Sequence, residues 1–372
     1  MAHIAQINFF LDPLKRGPEQ LLRDWTTLSD IAHAASDADT RITVIQACHT
    51  RTRISDRGID YHFQPIGAAA PWRQRFDFFS LASSLKADMF HVHGLNCPAE
   101  TARLASSNPG RPILAQDHAS KPPGFLRRMQ YRRGFVALDG VAFTARSQAQ
   151  GYVERKLFPQ GIRVFEIPES SSHFSAGDRT EARRITGLAG SPCILWIGHL
   201  NDNKDPLCAI DGIERALRWL PELQLWLVFA TAPLLHAVQD RIRRSPELSG
   251  RVHLVGRVAH ERIELMLRAA DIYVAGSHSE GSGYALIEAL ACGIPPVVTD
   301  IPSFRVLTGN GRIGRLWPCG EPQKLADALR SIWSEPQQLA SEAVLSHFDR
   351  KLSFAAVGKA LRSAYRELLD RR

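Results

Sequence analysis

The sequence contains little of what marks a secreted, disulfide-bonded protein. It has six cysteines in 372 residues, and no two of them form a C-x-x-C pair. Several lie within apolar runs, where a free thiol behaves as a small hydrophobic side chain. A disulfide framework is therefore not predicted, and a reducing, cytoplasmic location is expected.

Long apolar runs are also missing. No stretch approaches the roughly 20 consecutive apolar residues of a membrane-spanning helix. The first residues, MAHIAQINFFLDPLKRG, lack the charged region, apolar core and small-residue cleavage site of a signal peptide, so they are interpreted as a first strand. With 44% hydrophobic and 23% charged residues, the chain is typical of a globular protein whose length suits two domains.

Several cofactor and metal motifs are absent as well. No G-x-G-x-x-G follows the first predicted strand, which disfavours an NAD enzyme, and no motif supports nucleic-acid binding. Asp37 and Asp39 stand at a predicted helix-to-strand junction, where polar residues end a helix. His91 and His93 in FHVHG have no carboxylate or cysteine cluster beside them in the sequence, so they are interpreted as structural histidines, with a cleft-lining role left open for His93. No metal site is predicted.

Short β-rich runs alternate with helical patterns along most of the chain, which predicts an α/β protein with parallel sheets covered on both faces. The alternation is interrupted by a polar stretch around residues 168 to 190 and then begins again. We therefore predict two Rossmann-like domains facing each other across a cleft, at residues 1–168 and 169–352. The helical segment 353–372 is expected to pack back on the first domain.

A glycine-rich turn with two glutamates follows the predicted strand DIYVAGSH. Glu280 precedes Gly281, Ser282 and Gly283, and Glu288 lies in the helix expected from about residue 284. The glycines and the positive helix end suit a phosphate, while carboxylates suit the hydroxyls of sugars beside it. This pattern indicates a sugar–diphosphate–nucleoside ligand. The alternative is that Glu280 is merely exposed and Glu288 pairs with a nearby base.

These motifs resemble the retaining GT-B glycosyltransferases of family 4. EGSGYALIEALACGIPPVVTD matches the Glu-x7-Glu signature of that family, and ILWIGHLNDNKDPL resembles the segment that brings basic residues to the donor diphosphate. ADMFHVHG, ILAQDHAS and RVFEIPESSSHF resemble other family segments in the same order, so that the resemblance covers most of the chain.

The resemblance implies a role for each matching residue. Lys204 would stabilise the diphosphate leaving group, Glu280 would contact the donor sugar and Glu288 would hold the ribose. His118 would lie near the donor sugar. The backbone of the strand end at Gly198 and of Gly281–Gly283 would bind the donor, and the groups near Gly256 and Arg257 would hold the nucleobase. No cofactor or metal ion is expected, because fixed cations and N–H groups would stabilise the leaving group.

Two departures from the family pattern stand out. His199, five residues before Lys204, occupies the position where the family usually has arginine, which replaces a permanent cation with a side chain that can lose its charge near neutral pH. The stretch DPLKRGPEQ also lacks the paired glycines that usually follow the first strand. Either Lys15 or Arg16 substitutes for them, or the phosphate of the donor lies in a different position.

The resulting prediction is a metal-independent hexosyltransferase in bacterial glycan or glycolipid synthesis. It would use a nucleotide sugar and a saccharide or lipid-linked acceptor. The alternatives are a weak or inactive sugar-nucleotide-binding protein, a sugar-nucleotide epimerase or a phosphorylase, although no lysine context suggests a pyridoxal site.

The net charge of +8 is concentrated in one region. Residues 121–135, KPPGFLRRMQYRRGF, carry five basic and no acidic residues, with Phe125, Leu126, Met129, Tyr131 and Phe135 among them. This segment could rest on the anionic cytoplasmic face of a membrane and reach a lipid-linked acceptor. The alternative is an ordinary helix with exposed arginines.

Overall fold

The structure is a computed structural model that describes residues 1–66 and 72–371. It contains two compact units. The N-terminal unit comprises Met1–Ser170 and Phe354–Arg372, and the C-terminal unit comprises Ser171–Ser353. Both are α/β structures built on a mainly parallel sheet, which confirms the predicted fold class.

The sheet of the N-terminal unit has the strand order β3-β4-β2-β1-β5-β6-β7-β8 in the described part of the chain. Its members are β1 (Ala2–Asn8), β2 (Thr40–Cys48), β3 (Thr52–Asp56), β4 (Ile59–Pro65), β5 (Met89–His93), β6 (Ile113–Gln116), β7 (Gly140–Phe143) and β8 (Arg163–Glu166). The helices between them are α1 (Pro18–Asp24), α2 (Thr26–Ala35), α3 (Trp72–Ser84), α4 (Pro98–Ser107), α5 (Arg128–Phe135) and α6 (Gln150–Glu154).

One edge of this sheet departs from the expected parallel arrangement. Strands β3 and β4 pair antiparallel through a two-residue turn at Arg57 and Gly58, which have φ values of 45° and 84°. Two consecutive positive φ values belong to the tight turn that best fits a twisted hairpin. The pair is an added edge hairpin, and β4 joins the parallel sheet through β2.

The C-terminal unit has the strand order β11-β10-β9-β12-β13-β14, and each neighbouring pair is parallel. Its strands are β9 (Cys193–Gly198), β10 (Gln224–Phe229), β11 (Val252–Gly256), β12 (Ile272–Ala275), β13 (Pro296–Thr299) and β14 (Arg315–Trp317). Its helices are α7 (Arg179–Thr186), α8 (Pro206–Ala216), α9 (Leu235–Arg243), α10 (His260–Ala269), α11 (Tyr284–Ala291), α12 (Pro302–Leu307), α13 (Pro322–Trp333) and α14 (Gln337–Lys351).

Each sheet is buried on both faces, as continuous apolar strands predict. In β9, Cys193 and Leu195 belong to one hydrophobic cluster, whereas Ile194 and Trp196 belong to another. Successive side chains of a strand point to opposite faces, so the two clusters are the two helix-covered sides of the sheet. This burial holds the strands in place, and the polar residues lie in the loops that follow their carboxyl ends.

The last helix, α15 (Phe354–Leu369), packs in the N-terminal unit against α2. Arg362 anchors it there, because its Nε lies 2.8 Å from Oδ2 of Asp37 and its guanidinium also donates to the carbonyl of Ala34. Asp37 therefore has a structural partner. No helix in the described part of the chain is long and apolar enough to cross a membrane.

Candidate functional site

Two polar loops of the C-terminal unit follow neighbouring strands. Residues 199–205 connect β9 to α8, and residues 276–283 connect β12 to α11. Strands β9 and β12 are paired in parallel, so both loops leave the sheet at its carboxyl edge. This is the edge where ligands of open parallel sheets bind.

The two loops bring together the lysine and the glutamate that the sequence singles out. Nζ of Lys204 is hydrogen-bonded to Oε1 of Glu280, and both side chains are largely buried. The backbone N–H of Lys204 donates to Oδ1 of Asn201 at 3.0 Å, which fixes the base of the lysine. The site therefore holds one cation and one carboxylate in direct contact.

Further hydrogen bonds hold the two loops to each other. Nδ2 of Asn203 donates to the carbonyl of Ser279 at 3.0 Å, and the N–H of His278 donates to the carbonyl of Asn203 at 2.8 Å. Nε2 of His278 lies 3.0 Å from Oδ2 of Asp205, whose other oxygen accepts from the N–H of Cys208 in the first turn of α8. Backbone and side-chain contacts thus define the position of Lys204 relative to Glu280.

The glycine-rich turn leads directly into α11. Gly283 is the residue before the first helical turn and has a φ of +80°. A Cβ at this position would lie 2.6 Å from the ring of Phe304, so both the backbone and the available space require glycine. The first N–H groups of a helix have no partners within the helix and carry its positive end. The turn at Gly281–Gly283 is therefore suited to an anion.

Glu288 lies further along α11 and has a specific partner. Nε2 of His260, at the start of α10, lies 2.7 Å from Oε1 of Glu288. This hydrogen bond raises the pKa of His260 above its ordinary value, and the negative charges of Glu288, Glu261 and Glu264 act in the same direction. The sequence alternative of a base paired with Glu288 is thus found in the structure, and the base is a histidine 28 residues away.

The remaining predicted donor residues are strand ends and loop positions. Gly198 ends β9 and is followed by His199, whose side chain is exposed. Gly256 ends β11 with a φ of +79° and is followed by the exposed Arg257. Strand β11 is three places from β12, so these residues lie roughly 14 Å across the sheet from the Glu280 loop. The structure places Gly256 and Arg257 on the same carboxyl edge at this distance from the Glu280 loop. Gly198 lies beside Lys204, because a Cβ at Gly198 would be 3.4 Å from Cγ of Lys204.

His118 lies in the N-terminal unit, where it belongs to a hydrogen-bonded array. Its Nδ1 is 2.8 Å from Oε2 of Glu169, and its Nε2 is 3.1 Å from Nδ1 of His93. Glu169 is buried and follows β8. Hydrogen bonding to a carboxylate favours the tautomer of His118 that carries a proton on Nδ1. Glu169 was not singled out in the sequence, because it belongs to the polar stretch PESSS and lies 51 residues from His118.

The two histidines of FHVHG have different environments. His91 is fully buried, its Nδ1 lies 2.8 Å from the hydroxyl of Tyr365, and burial lowers its pKa to about 3. His93 lies beside it, with 4.3 Å between ring centroids, and burial together with the neighbouring His91 and His118 lowers its pKa well below the ordinary value. His91 is therefore a structural histidine, whereas His93 directly contacts a predicted site residue.

Lys15 and Arg16, the cations expected to substitute for the missing glycines, lie in the loop after β1. Arg16 pairs with Asp12, with 2.9 Å from Nε to Oδ2, and with Asp24 at 3.3 Å. Lys15 is exposed and has a φ of +53° in the same turn. The charge of Arg16 is thus balanced by two carboxylates. Within residues 1–66 and 72–371, no group of three or more His, Cys, Asp or Glu side chains is arranged to hold a metal ion.

The basic segment 121–135 forms a short 3-10 turn followed by α5. Tyr131 and Phe135 are buried, which corrects their expected place among the exposed side chains. Phe125, Leu126 and Met129 are exposed, with Phe125 at 79% and Leu126 at 95%. The helix therefore uses one aromatic face for the core and leaves apolar and basic side chains outside.

Comparisons with known proteins agree with this architecture. The family "Glycosyl transferases group 1" matches residues 178–344. Phosphatidyl-myo-inositol mannosyltransferase of Mycobacterium tuberculosis is 25% identical over 254 residues, covering 65% of this chain and 62% of that protein. D-inositol 3-phosphate glycosyltransferase of Mycobacteroides abscessus is 30% identical over 199 residues, covering 52% of this chain and 43% of that protein. The matched regions thus span less than two thirds of these curated relatives.

Solved structures resemble the chain over its whole length. Sucrose-phosphate synthase from Thermosynechococcus elongatus has a TM-score of 0.69 at 18% identity, covering all of both chains. HepE from Anabaena in complex with UDP has a TM-score of 0.70 at 16% identity, covering 99% of this chain and all of the other. At these identities the likeness shows the fold. Over residues 178–344 the chain thus matches the group 1 glycosyl transferases, and as a whole it has the GT-B fold of two Rossmann-like domains.

Proposed function

We propose that the chain transfers a hexosyl group from a nucleoside-diphosphate sugar to a hydroxyl of a saccharide or lipid-linked acceptor, with retention of the anomeric configuration. Its proposed place is bacterial glycan or glycolipid synthesis. The observation that carries this proposal is the contact of Lys204 with Glu280 beside the turn at Gly281–Gly283. Lys204 and the positive end of α11 suit the negatively charged diphosphate of such a donor. The carboxylate of Glu280 suits the hydroxyls of its sugar.

The proposed reaction breaks the bond between the anomeric carbon and the diphosphate oxygen. The acceptor oxygen forms a bond to the same carbon, and its proton passes to the departing diphosphate. Negative charge grows on the diphosphate during this step, so fixed positive groups there lower the barrier. Lys204 and the N–H groups at the start of α11 would supply them. The proposal includes no metal ion or other cofactor.

The other site residues have assigned parts in this proposal. Glu280 would accept hydrogen bonds from donor-sugar hydroxyls. Lys204 would then interact with both the Glu280 carboxylate and the diphosphate. Glu288 would hold the ribose hydroxyls, and His260 would orient its carboxylate. His199 would contact the diphosphate.

The outer parts of the donor complete the assignment. Backbone groups at Gly256 and Arg257 would hold the nucleobase, and Gly198 would allow the backbone close to the ligand. His118 would contact the transferred sugar. The relatives support a nucleotide-sugar donor, because one is named a mannosyltransferase and a structural neighbour was solved with UDP-glucose.

Nucleotide binding is the first test. UDP, GDP, ADP and TDP would each be added without metal, and the apparent melting temperature of the full chain would be measured. A ligand present at about 100 times its Kd stabilises the native state by about 2.7 kcal/mol. We expect one nucleotide to raise the melting temperature, Glu288→Ala to abolish the increase and the exposed Glu222→Ala to keep it.

Turnover separates an active enzyme from a binding protein. The replacement of the usual arginine by His199 is the observation that favours an inactive sugar-nucleotide-binding protein. Release of the nucleoside diphosphate from its sugar conjugate, dependent on an added acceptor and abolished in Lys204→Ala, would support transfer. Tight nucleotide binding with no turnover on any acceptor would favour the binding protein. Epimerised donor as the product would favour a sugar-nucleotide epimerase.

We further propose that the enzyme works at the cytoplasmic face of a membrane. Among the described residues of the N-terminal unit, five of the eight exposed large apolar side chains lie in or next to α5 and α6 in the chain, where they are interspersed with cations. This basic apolar surface consists of Phe125, Leu126, Met129, Val136 and Val153 with Lys121, Arg127, Arg132, Arg133 and Lys156. A groove of about 1040 Å³ within it is lined by Met129, Arg132, Arg133, Val153 and Lys156 among others, and none of its described lining residues is acidic.

Charge and apolar exposure together match an anionic lipid surface. Each basic residue near such a surface contributes about 1 kcal/mol, and inserted apolar side chains add to the binding. We expect binding to vesicles that contain anionic lipid, weaker binding at high salt, and weak binding to neutral vesicles. Exchanging Arg132 and Arg133 for glutamate should abolish the preference for anionic over neutral vesicles. The same exchange at Arg243 and Arg244 should leave this preference unchanged. Equal binding to both vesicle types would contradict the proposal.

A further inference from the structure

The N-terminal unit contains a cavity of about 380 Å³ at the carboxyl ends of β1 and β5. Its lining combines two kinds of side chain. Phe10, Trp25, Leu28 and Ile31 are apolar, and Asn8, His93, Asn96, His118 and Glu169 are polar. This volume lies at the small end of the roughly 300–1000 Å³ typical of ligand pockets, so it suits one ring rather than a chain of rings.

The apolar part of the lining contains two neighbouring aromatic rings. The ring centroids of Phe10 and Trp25 are 5.7 Å apart with 33° between their planes. Trp25 occupies the break between α1 and α2, and Leu28 follows in the first turn of α2. Such a surface can cover the C–H face of a sugar ring, whose hydroxyls then point to polar groups at its edge.

The polar part of the lining consists of hydrogen-bonding groups without a permanent cation. The amides of Asn8 and Asn96 and the imidazoles of His93 and His118 can donate to or accept from hydroxyls. Glu169 adds a buried carboxylate, held 2.8 Å from His118.

None of the described residues that line the cavity is lysine or arginine. Arg16 lies close by, with its guanidinium 5.3 Å from the ring centroid of Trp25, but it is paired with Asp12 and Asp24. A phosphate in this cavity would lose water and face the buried carboxylate of Glu169, and none of the described lining residues is a lysine or arginine that could pair with the phosphate. Burying an unpaired charge is costly, and two like charges raise that cost.

We propose that this cavity binds one uncharged sugar ring of the acceptor and excludes a phosphorylated one. The inference rests on the proposed glycosyl transfer and names the acceptor class. In the bound ring, one face covers Trp25 and the hydroxyls reach Asn96, His93 and His118. Relatives of this chain are named for D-inositol 3-phosphate, a phosphorylated polyol. Because Glu169 is negatively charged and no described lining residue is lysine or arginine, we expect the cavity to disfavour a phosphorylated ligand of this kind.

Saturation-transfer NMR on the full chain tests this directly, because it detects millimolar binding. The probes are methyl α-D-mannopyranoside, methyl α-D-glucopyranoside and myo-inositol, each against a phosphorylated counterpart. We expect transfer to the ring C–H protons of at least one uncharged probe, and at least tenfold weaker binding of its phosphate. Trp25→Ala should lose the signal. Trp219→Ala, a tryptophan substitution in the C-terminal unit, should keep it.

Two further results keep the test decisive. Asn96→Ala changes an exposed side chain and should weaken binding at least threefold, even if Trp25→Ala does not fold. Equal or tighter binding of the phosphorylated probe would overturn the proposal. It would also be overturned if none of the uncharged probes gave a saturation-transfer signal at about 50 mM. The nucleotide-induced stabilisation of the C-terminal unit, measured on the same samples, would then still report separately on the proposed glycosyltransferase activity.

Discussion

Lowering the pH should destabilise the N-terminal unit through one buried histidine. His91 is fully buried, contacts the hydroxyl of Tyr365, and has a pKa lowered to about 3 by burial and by the nearby His118. In the unfolded chain its pKa returns to about 6.5. Below pH 6.5 the unfolded state therefore binds a proton that the folded state does not bind, and the free energy of unfolding decreases as the pH falls towards 3.

The size of this effect follows from the two pKa values. Between pH 7 and pH 5 the unfolded histidine becomes almost fully protonated, which corresponds to about 1.5 pH units at about 1.36 kcal/mol each. The expected loss is about 2 kcal/mol. Any folded-state pKa below about 4 gives nearly the same figure, since His91 then remains neutral at pH 5 in the folded protein.

Urea unfolding at pH 7 and pH 5 measures this loss. The wild type should lose more stability than His91→Gln over this pH range, and the difference should be about 2 kcal/mol whatever the variant costs at pH 7. His236→Gln, which changes an exposed histidine of the C-terminal unit, should behave as the wild type. Equal pH dependence of the wild type and His91→Gln would refute the reasoning, because it would mean that His91 is protonated in the folded protein.

Three predictions concern the donor site. His199→Arg places a permanent cation at this position, so kcat should depend less on pH in the variant than in the wild type, and an unchanged rate profile would contradict a cationic role. Gly283→Ala places a methyl group 2.6 Å from Phe304 at a φ of +80°, so it should lower the unfolding free energy by about 1–3 kcal/mol, and an unaltered urea midpoint would be inconsistent with this strain. The pKa of His260 is raised by Glu288, so their pair stabilises the fold below about pH 6 and loses this contribution as the pH rises through the raised pKa. Because His260 is exposed to solvent, which weakens the ion pair, His260→Gln should cost less than about 1 kcal/mol at pH 6 and nothing at pH 9, and a larger cost at pH 9 would argue against an ionic origin.

Much of the fold could be predicted because the strands carry a strong local signal. Runs such as CILWIG and PVVT are apolar at every position, as expected for strands covered on both faces. The hairpin β3–β4 was not predicted. TRISD is half polar, and the tight turn depends on positive φ at Arg57 and Gly58, a conformation that no apolar periodicity indicates. Leu21, Trp25, Leu28, Ile31 and Ala35 recur at helical spacing, which predicts one helix over residues 19–35. The structure instead ends α1 at Asp24 and begins α2 after Trp25.

The site divides in the same way. Lys204, Glu280 and Glu288 belong to motifs with fixed spacing and could be identified in the sequence, although their roles remain proposals. The partners of Glu288 and His118 could not be identified. His260 and Glu169 carry no motif, and each reaches its partner only through the packing of separate elements. Contacts between residues far apart in the chain depend on tertiary structure, so the sequence pattern around each residue does not reveal them.

The discontinuous N-terminal unit has a consequence for synthesis. Its sheet is complete at Glu166, but the helix that covers α2 begins only at Phe354, after the whole C-terminal unit. During translation the C-terminal unit is exposed in full before α15 exists. Until that helix arrives, the surface of α2 around Ala34 is uncovered, and the apolar residues that pack with Leu361 and Tyr365 face water. A nascent chain therefore exposes the hydrophobic surface of α2 to water until α15 has been synthesised.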